Sequence, residues 1–212
     1  MKILNLYACL GGNRYKWGDE HDITAVELDE ELARMYQERF SNDKVIVADA
    51  HQYLLDHYKE FDFIWSSPPC PSHSRARFWS SKGGKIEPIY PNMSLYQEIL
   101  FLDNFFDGKY VVENVIPYYD PLIEAQKRGR HLYWTNFILP SELSDRHFRI
   151  SQEKNELQEL CKFHQIDLTD YKGNQSKTKI GRNLVEYQAG KTILDTAMGI
   201  IRKKDEQQIS LL

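Results

Sequence analysis

Much that would decide a function at once is absent from this sequence. Only three cysteines occur in 212 residues, Cys9, Cys70 and Cys161, and they are far apart. Their number and spacing give no zinc-binding pair and no disulfide framework, which fits a reducing compartment. Excess positive charge is also missing: 27 Lys and Arg face 31 Asp and Glu, for a net charge of −4. A protein that wraps nucleic acid over its whole surface is usually basic, so any such contact must rest on a local patch. There is no apolar run long enough to span a bilayer, no leader-like segment, no internal repeat and no low-complexity tract. The expectation is a cytoplasmic protein with no membrane segment and no metal. Two nucleotide signatures are absent as well: a G-x-G-x-x-G turn and a phosphate-cradling Walker turn.

What is present is enough for one domain with a sizeable core, since 42% of residues are hydrophobic and 13% aromatic. Strand-like and helix-like stretches alternate. Residues 3–8, 22–28, 44–48, 61–65, 110–115 and 131–139 read as strands. Residues 30–40 carry helical periodicity, with Leu32, Met35, Tyr36 and Phe40 on one side. Further helices are expected after residue 50, over 94–106 with Ser94 as N-cap, over 151–163 and over 183–202. Residues 72–92 and 170–181 read as loops. This alternation predicts an α/β fold with a mostly parallel sheet and helices on both faces.

In such a sheet, ligands bind at the carboxyl ends of the strands. The strand at 61–65 runs into Ser66-Ser67-Pro68-Pro69-Cys70-Pro71. Prolines cannot continue a central ladder, so the strand stops and holds a lone cysteine at the binding edge. Cys70 is a candidate nucleophile. Three other strand ends carry Gly11-Gly12, Glu27 and Asp49. A glycine turn, a carboxylate for a ribose diol and a polar contact for adenine make a nucleoside site. Without a pyrophosphate signature, the ligand that fits best is S-adenosylmethionine.

The Pro-Pro-Cys stretch, Glu113-Asn114-Val115 and Gln126-Lys127-Arg128-Gly129-Arg130 occur in that order. Together they resemble the motifs of the DNA cytosine-C5 methyltransferases. Tyr7-Ala8-Cys9-Leu10-Gly11-Gly12 is similar to that family's Phe-x-Gly-x-Gly-Gly cofactor turn, and Arg182-Asn183-Leu184-Val185 to the start of its last motif. The resemblance implies a Rossmann-like methyltransferase fold and methyl transfer from S-adenosylmethionine to C5 of cytosine. The substrate would be double-stranded DNA with the target base flipped out, as in restriction–modification, in a bacterial or phage-infected cell. It makes Cys70 the nucleophile, Glu113 the partner of N3 and N4, Arg128 and Arg130 the groups that hold O2 and order the pocket, and Asn114 a turn-fixing residue. The cofactor would lie against Tyr7, Ala8, Leu10, Gly11, Gly12, Glu27, Leu28, Asp49, Ala50, Pro69, Asn183 and Val185. In the family, the loop after the cysteine closes over the extruded base. Here it carries His73, Arg75, Arg77, Phe78, Trp79, Lys82 and Lys85, a mixture of basic and aromatic residues suited to phosphates and unstacked bases.

Cys9 stands where the family has its first turn glycine, and Glu186 follows Asn-x-Val where the family has proline. The larger departure is length. The family places a target-recognition region between the segments that end at Arg130 and begin at Arg182. Residues 141–181 are too few for one, although Lys172, Lys177, Lys179 and Arg182 form a small basic patch. The expected layout is a catalytic domain over 1–140 and 182–204, with 141–181 as a small insertion. Relaxed specificity follows, or a partner subunit that supplies recognition. RNA or a free cytidine nucleotide as substrate, and a non-catalytic cofactor-binding subunit, are the alternatives.

Overall fold

A computed structural model of the chain describes residues 1–145 and 155–200. Its core is one seven-stranded sheet: β1 (Lys2–Leu6), β2 (Asp22–Glu27), β3 (Lys44–Val47), β4 (Phe63–Ser66), β5 (Lys109–Val115), β6 (Gln126–Arg128) and β7 (His131–Thr135), in the order β3-β2-β1-β4-β5-β7-β6. The first five strands are parallel; β7 runs antiparallel to both β5 and β6. The order reverses between β1 and β4, where Leu6 pairs with Ser66, so two strand ends open side by side at the place where open α/β sheets bind ligands.

The helices are α1 (Glu30–Arg39), α2 (Ala50–His57), α3 (Arg75–Lys82), α4 (Ser94–Phe105), α5 (Glu156–His164), α6 (Lys177–Asn183) and α7 (Tyr187–Ala197). They cover both faces, and the strand residues divide between them with period two. Leu4, Leu6, Ile64 and Val112 pack under α2 and α4 through Leu54, Ile99 and Leu102. Ile3, Phe63, Trp65 and Val111 turn the other way, onto Trp17 and onto Ile193 and Leu194 of α7. Burial on both faces explains why β4 reads as a continuous apolar run. Two carboxylates that end strand segments start helices: Asp29 accepts from the amides of Glu31 and Leu32, and Asp49 from that of Gln52. Each such cap contributes about 1 kcal/mol.

Helix α7 reaches back to the chain that follows β1. Gly190 lies so near Asn13 that an added Cβ would stand 2.3 Å from its carbonyl oxygen, and Trp17 Nε1 donates to the Gly190 carbonyl at 3.1 Å. Only glycine admits this approach.

Several local expectations need correction. The segment 72–92 is not all loop, because α3 forms inside it. Residues 170–181 are likewise not all loop, since α6 begins at Lys177. The helix expected over 183–202 starts later: Asn183 ends α6, Leu184 and Glu186 are extended, and α7 spans Tyr187–Ala197. Met93, not Ser94, occupies the N-cap of α4, and the Asn92 side chain accepts from the Ser94 amide at 3.0 Å. The helix expected over 151–163 is seen as α5; residues 151–154 and 201–202 lie outside the described residues.

Candidate active site

A cavity of about 270 Å³ opens at the carboxyl ends of β1, β2, β4 and β5. One end is built by the turn after β1. Tyr7, Cys9 and Gly11 take left-handed backbone conformations, with φ of 56°, 47° and 66°. The turn is tied to β2 by Glu27, whose carboxylate accepts from the Cys9 amide at 2.8 Å and the Asp29 amide at 3.0 Å. Burial raises the Glu27 carboxyl above its ordinary value, and the amides it accepts from oppose that shift. Leu32 and Leu184 add apolar wall, and Gln175 a polar side chain. A carboxylate at one end of an apolar slot, beside a sharply turned backbone, is a donor set that fits a nucleoside with a diol.

The other end is the Pro-Pro-Cys segment. Trp65 Nε1 donates to Ser67 Oγ at 2.8 Å, and Asn114 Nδ2 donates to the Pro68 carbonyl at 2.9 Å, which ties the end of β5 to this segment. The Cys70 carbonyl accepts from the amides of His73 and Ser74, so the chain turns immediately after the thiol. Cys70 and Glu113 both line the cavity, and Glu113 is buried. Burial pushes the Cys70 thiol up, and the Glu113 charge adds to this. The nearby Lys179 ammonium acts in the opposite sense. His131 Nε2 lies 3.6 Å from Glu113 Oε1.

Of the residues expected from sequence, the cavity wall brings together Cys70, Glu113, Asn114, Pro69, Tyr7, Ala8, Gly12, Glu27, Asn183 and Val185. Others stand away from it. Arg128 donates to the carbonyls of Lys127, Leu139 and Pro140. Arg130 makes a two-pronged ion pair with Asp145, at 2.9 and 3.0 Å. Neither arginine is among the residues that line the cavity. Asp49 and Ala50 are committed to the start of α2, and Leu28 points to solvent. Leu10 packs with Leu32 and Ile180, and an added Cβ on Gly11 would meet Phe40 at 2.5 Å.

The cations at the cavity come instead from α6. Lys179 and Arg182 line it. Arg182 holds Glu156 at 2.6 Å, whereas Lys179 has no ion-pair partner among the described residues. Lys177, from the same basic patch, turns away to the Thr169 carbonyl.

Sequence reasoning also missed a buried carboxylate under the site. Glu98 of α4 accepts from Tyr7 Oη and Ser66 Oγ, each at 2.5 Å, and lies 2.9 Å from His51 Nδ1. It therefore joins the turn after β1 to the end of β4. The only signal for it was a charge on the apolar side of a helix.

Residues 1–87 match the family model described as C-5 cytosine-specific DNA methylase. Among curated proteins none matches. Of solved structures, a methyltransferase of Entamoeba histolytica is similar over 96% of this chain and 99% of its own, at 8% identity and a TM-score of 0.52. A DNMT2 mutant from Spodoptera frugiperda is 18% identical over 72% of this chain and 53% of its own, with a TM-score of 0.47. A SAM-dependent methyltransferase of Agrobacterium tumefaciens is 14% identical over 56% of this chain and 40% of its own, with a TM-score of 0.40. The fold is the Rossmann-like methyltransferase fold. Residues 1–87 are thus similar to the cytosine-C5 methylases, and the methyl donor that this likeness implies is S-adenosylmethionine.

Proposed function

We propose that this protein transfers a methyl group to C5 of cytosine in DNA through a covalent bond between Cys70 Sγ and C6. The observation that carries the reading is that Cys70, Glu113 and Glu27, which lie on three different strand ends, line one cavity. Cytosine C5 is a poor nucleophile. A thiolate that adds to C6 makes C5 electron-rich, provided N3 accepts a proton or a hydrogen bond. Glu113 faces the cavity from β5 and is suited to that role. Lys179 favours the thiolate form of Cys70, and Asn114 fixes the segment that presents it. When bound, S-adenosylmethionine supplies the electrophilic methyl group; Glu27, Tyr7, Gly12, Asn183 and Val185 would hold it. C5 then gives up its proton, and the sulfur of Cys70 leaves C6 with the bonding pair to restore the ring.

The catalytic unit in this reading is 1–140 with 182–204. Segment 141–181 is a small insertion, although its last residues reach the cavity through Lys179. Its described part folds back on the catalytic unit: Arg39 donates to the His164 carbonyl at 3.0 Å and Tyr171 Oη to Asp29 at 3.2 Å. That packing favours very short recognition or a partner subunit. Base extrusion is required in a duplex, because C5 and C6 cannot be reached inside the stack.

Labelled S-adenosylmethionine offered with duplex DNA, single strands, RNA and dCMP tests the substrate. DNA that contains 5-fluorocytosine is expected to trap an adduct on Cys70. Absence of both transfer and adduct with every substrate would overturn the enzymatic reading.

A further inference from the structure

A second cavity, of about 220 Å³, lies on the far side of the catalytic loop. Pro71, the residue after Cys70, lines both cavities. The second is walled by Phe78, Pro88, Ile89 and Tyr118, with Arg77 and Lys82 at its rim. Its size is below the roughly 300–1,000 Å³ of pockets that take a whole drug-sized ligand and suits a single flat ring system.

The cavity is built, not a gap under a loose loop. Phe78 and Tyr118 stack with ring centroids 4.5 Å apart and 4° between planes. Ser74 bridges to Pro117, the Tyr118 amide donates to the His73 carbonyl, and Arg75 Nε donates to the Pro117 carbonyl at 2.9 Å. After α3 the chain turns back at Gly84 (φ 70°). It is then pinned by Ser81 Oγ to the Ile86 carbonyl and by the Asn92 amide to Ser72 Oγ, both at 3.0 Å.

Two observations choose the occupant. The first is charge. In a protein of net charge −4, segment 72–92 carries Arg75, Arg77, Lys82 and Lys85 against Glu87 alone, and exposed aromatics, Trp79 and Tyr90, stand among them. That combination suits a nucleic-acid strand and does not suit an apolar or cationic partner. The second is an unmet donor: Arg77 donates one Nη2 hydrogen to the Glu87 carbonyl at 3.2 Å, but its Nε is buried with no acceptor. Buried donors are normally paired, so an acceptor is expected to arrive with the ligand.

We propose that this second cavity is a stacking subsite for the nucleobase next to the target cytosine, in a strand unpaired at that position, with Arg77 donating to that neighbour. The inference rests on the cytosine-methylating reading of the first cavity. Adjacent nucleotides are tied by one phosphodiester link, so an extruded base and its neighbour stay close even when they no longer stack. A cytosine at Cys70 therefore leaves its neighbour beside Pro71, at the mouth of the second cavity. The catalytic loop itself then selects the flanking base, in a chain whose segment 141–181 is short for that task.

The test uses short single strands with one cytosine and 2-aminopurine either immediately 5′ of it, immediately 3′ of it, or four nucleotides away. Fluorescence is read on titration with the full chain, and methyl transfer from labelled S-adenosylmethionine is read on the same strands. Quenching is expected at one adjacent position and not at the distant one. Tyr118→Leu should remove it, and Arg77→Met should weaken strand binding about tenfold. An abasic site at that adjacent position should lower wild-type kcat/KM about tenfold. Equal quenching at all positions in the wild-type chain overturns the subsite, a comparison that needs no variant to fold. Transfer without neighbour-dependent quenching removes the subsite and leaves the methylating reading standing. Neighbour-dependent quenching without transfer to any cytosine does the reverse.

Discussion

Cys9 and Cys70 follow neighbouring parallel strands and line one cavity, yet they are differently placed chemically. Burial, then the Glu27 charge, pushes the Cys9 thiol up to about 12. Its backbone is in the left-handed region and its amide is spent on Glu27. Burial, then the Glu113 charge, also raises the Cys70 thiol, but Lys179 opposes the shift and the backbone turns sharply to present it. A thiol at a strand end is thus not a nucleophile by position alone. A cation lowers each thiol, Arg39 that of Cys9 and Lys179 that of Cys70; what separates the two is that only the Cys9 thiol is pushed up to about 12, and that the carboxylate beside it, Glu27, is spent on backbone amides.

The sharpest way to break this contrast is to remove each thiol. Cys70→Ala is expected to lower methyl transfer by about 10³-fold or more and to abolish the 5-fluorocytosine adduct, read by labelled methyl incorporation and by gel shift. Cys9→Ala should keep the adduct. If the adduct persists in Cys70→Ala, the nucleophile is misassigned.

Next come the groups around Cys70. Glu113→Gln should cost about 10²-fold or more in rate. It should nevertheless make the thiol easier to ionise, because the Glu113 charge helps hold it up. Lys179→Met should do the opposite. Iodoacetamide labelling of Cys70 against pH, followed by mass spectrometry, measures both. The alkylation midpoint should fall in the first variant and rise in the second, and movement in one common direction would contradict the electrostatic account. For Cys9 the sign concerns stability. A thiol whose value is raised on folding stabilises the folded state below its unfolded value of 9.0, and that contribution is lost as pH climbs towards about 12. Cys9→Ala should therefore flatten alkaline unfolding in that window.

A smaller effect is expected at the cofactor end. Glu27 accepts from two backbone amides with two oxygens, whereas a carboxamide in its place has a single oxygen to accept with. A lost hydrogen bond to a charged group is worth about 1.5–3 kcal/mol. Titration calorimetry should thus show S-adenosylmethionine bound by Glu27→Gln about tenfold or more weakly, with methyl transfer recoverable at saturating cofactor.

These contrasts also mark what was legible in the chain. The strand ends at Gly12, Glu27, Cys70 and Glu113 could be read because each follows an apolar run, and a parallel sheet gathers such ends at one edge. Arg128 and Arg130 were read by their motif alone. Their actual partners, the Leu139 carbonyl and Asp145, lie on the segment after β7, a pairing no local pattern encodes. Lys179 was seen as charge but not as part of the site. The α6 segment Lys-Thr-Lys-Ile-Gly-Arg-Asn carries a glycine, a β-branched threonine and one large apolar residue, so it has no helical stripe to reveal it. Its helix is set by packing: Ile180 is buried, and an added Cβ on Gly181 would meet Leu160 of α5 at 3.0 Å.

The finest test of the comparison asks why a cysteine stands at position 9 at all. A non-glycine residue at φ 47° carries strain of about 1–2 kcal/mol. Glycine relieves it but adds about 0.5–1 kcal/mol of unfolded-chain entropy. Cys9 also packs at the edge of the cluster of Leu10, Leu32 and Ile180, a contact that glycine forfeits. The terms nearly cancel, so Cys9→Gly should move Tm by no more than about 3 °C and leave the Cys70 adduct intact, by calorimetry and gel shift. If Cys9→Gly instead abolishes the adduct while S-adenosylmethionine still binds, the Cys9 thiol takes part in the chemistry and the division between the two cysteines fails.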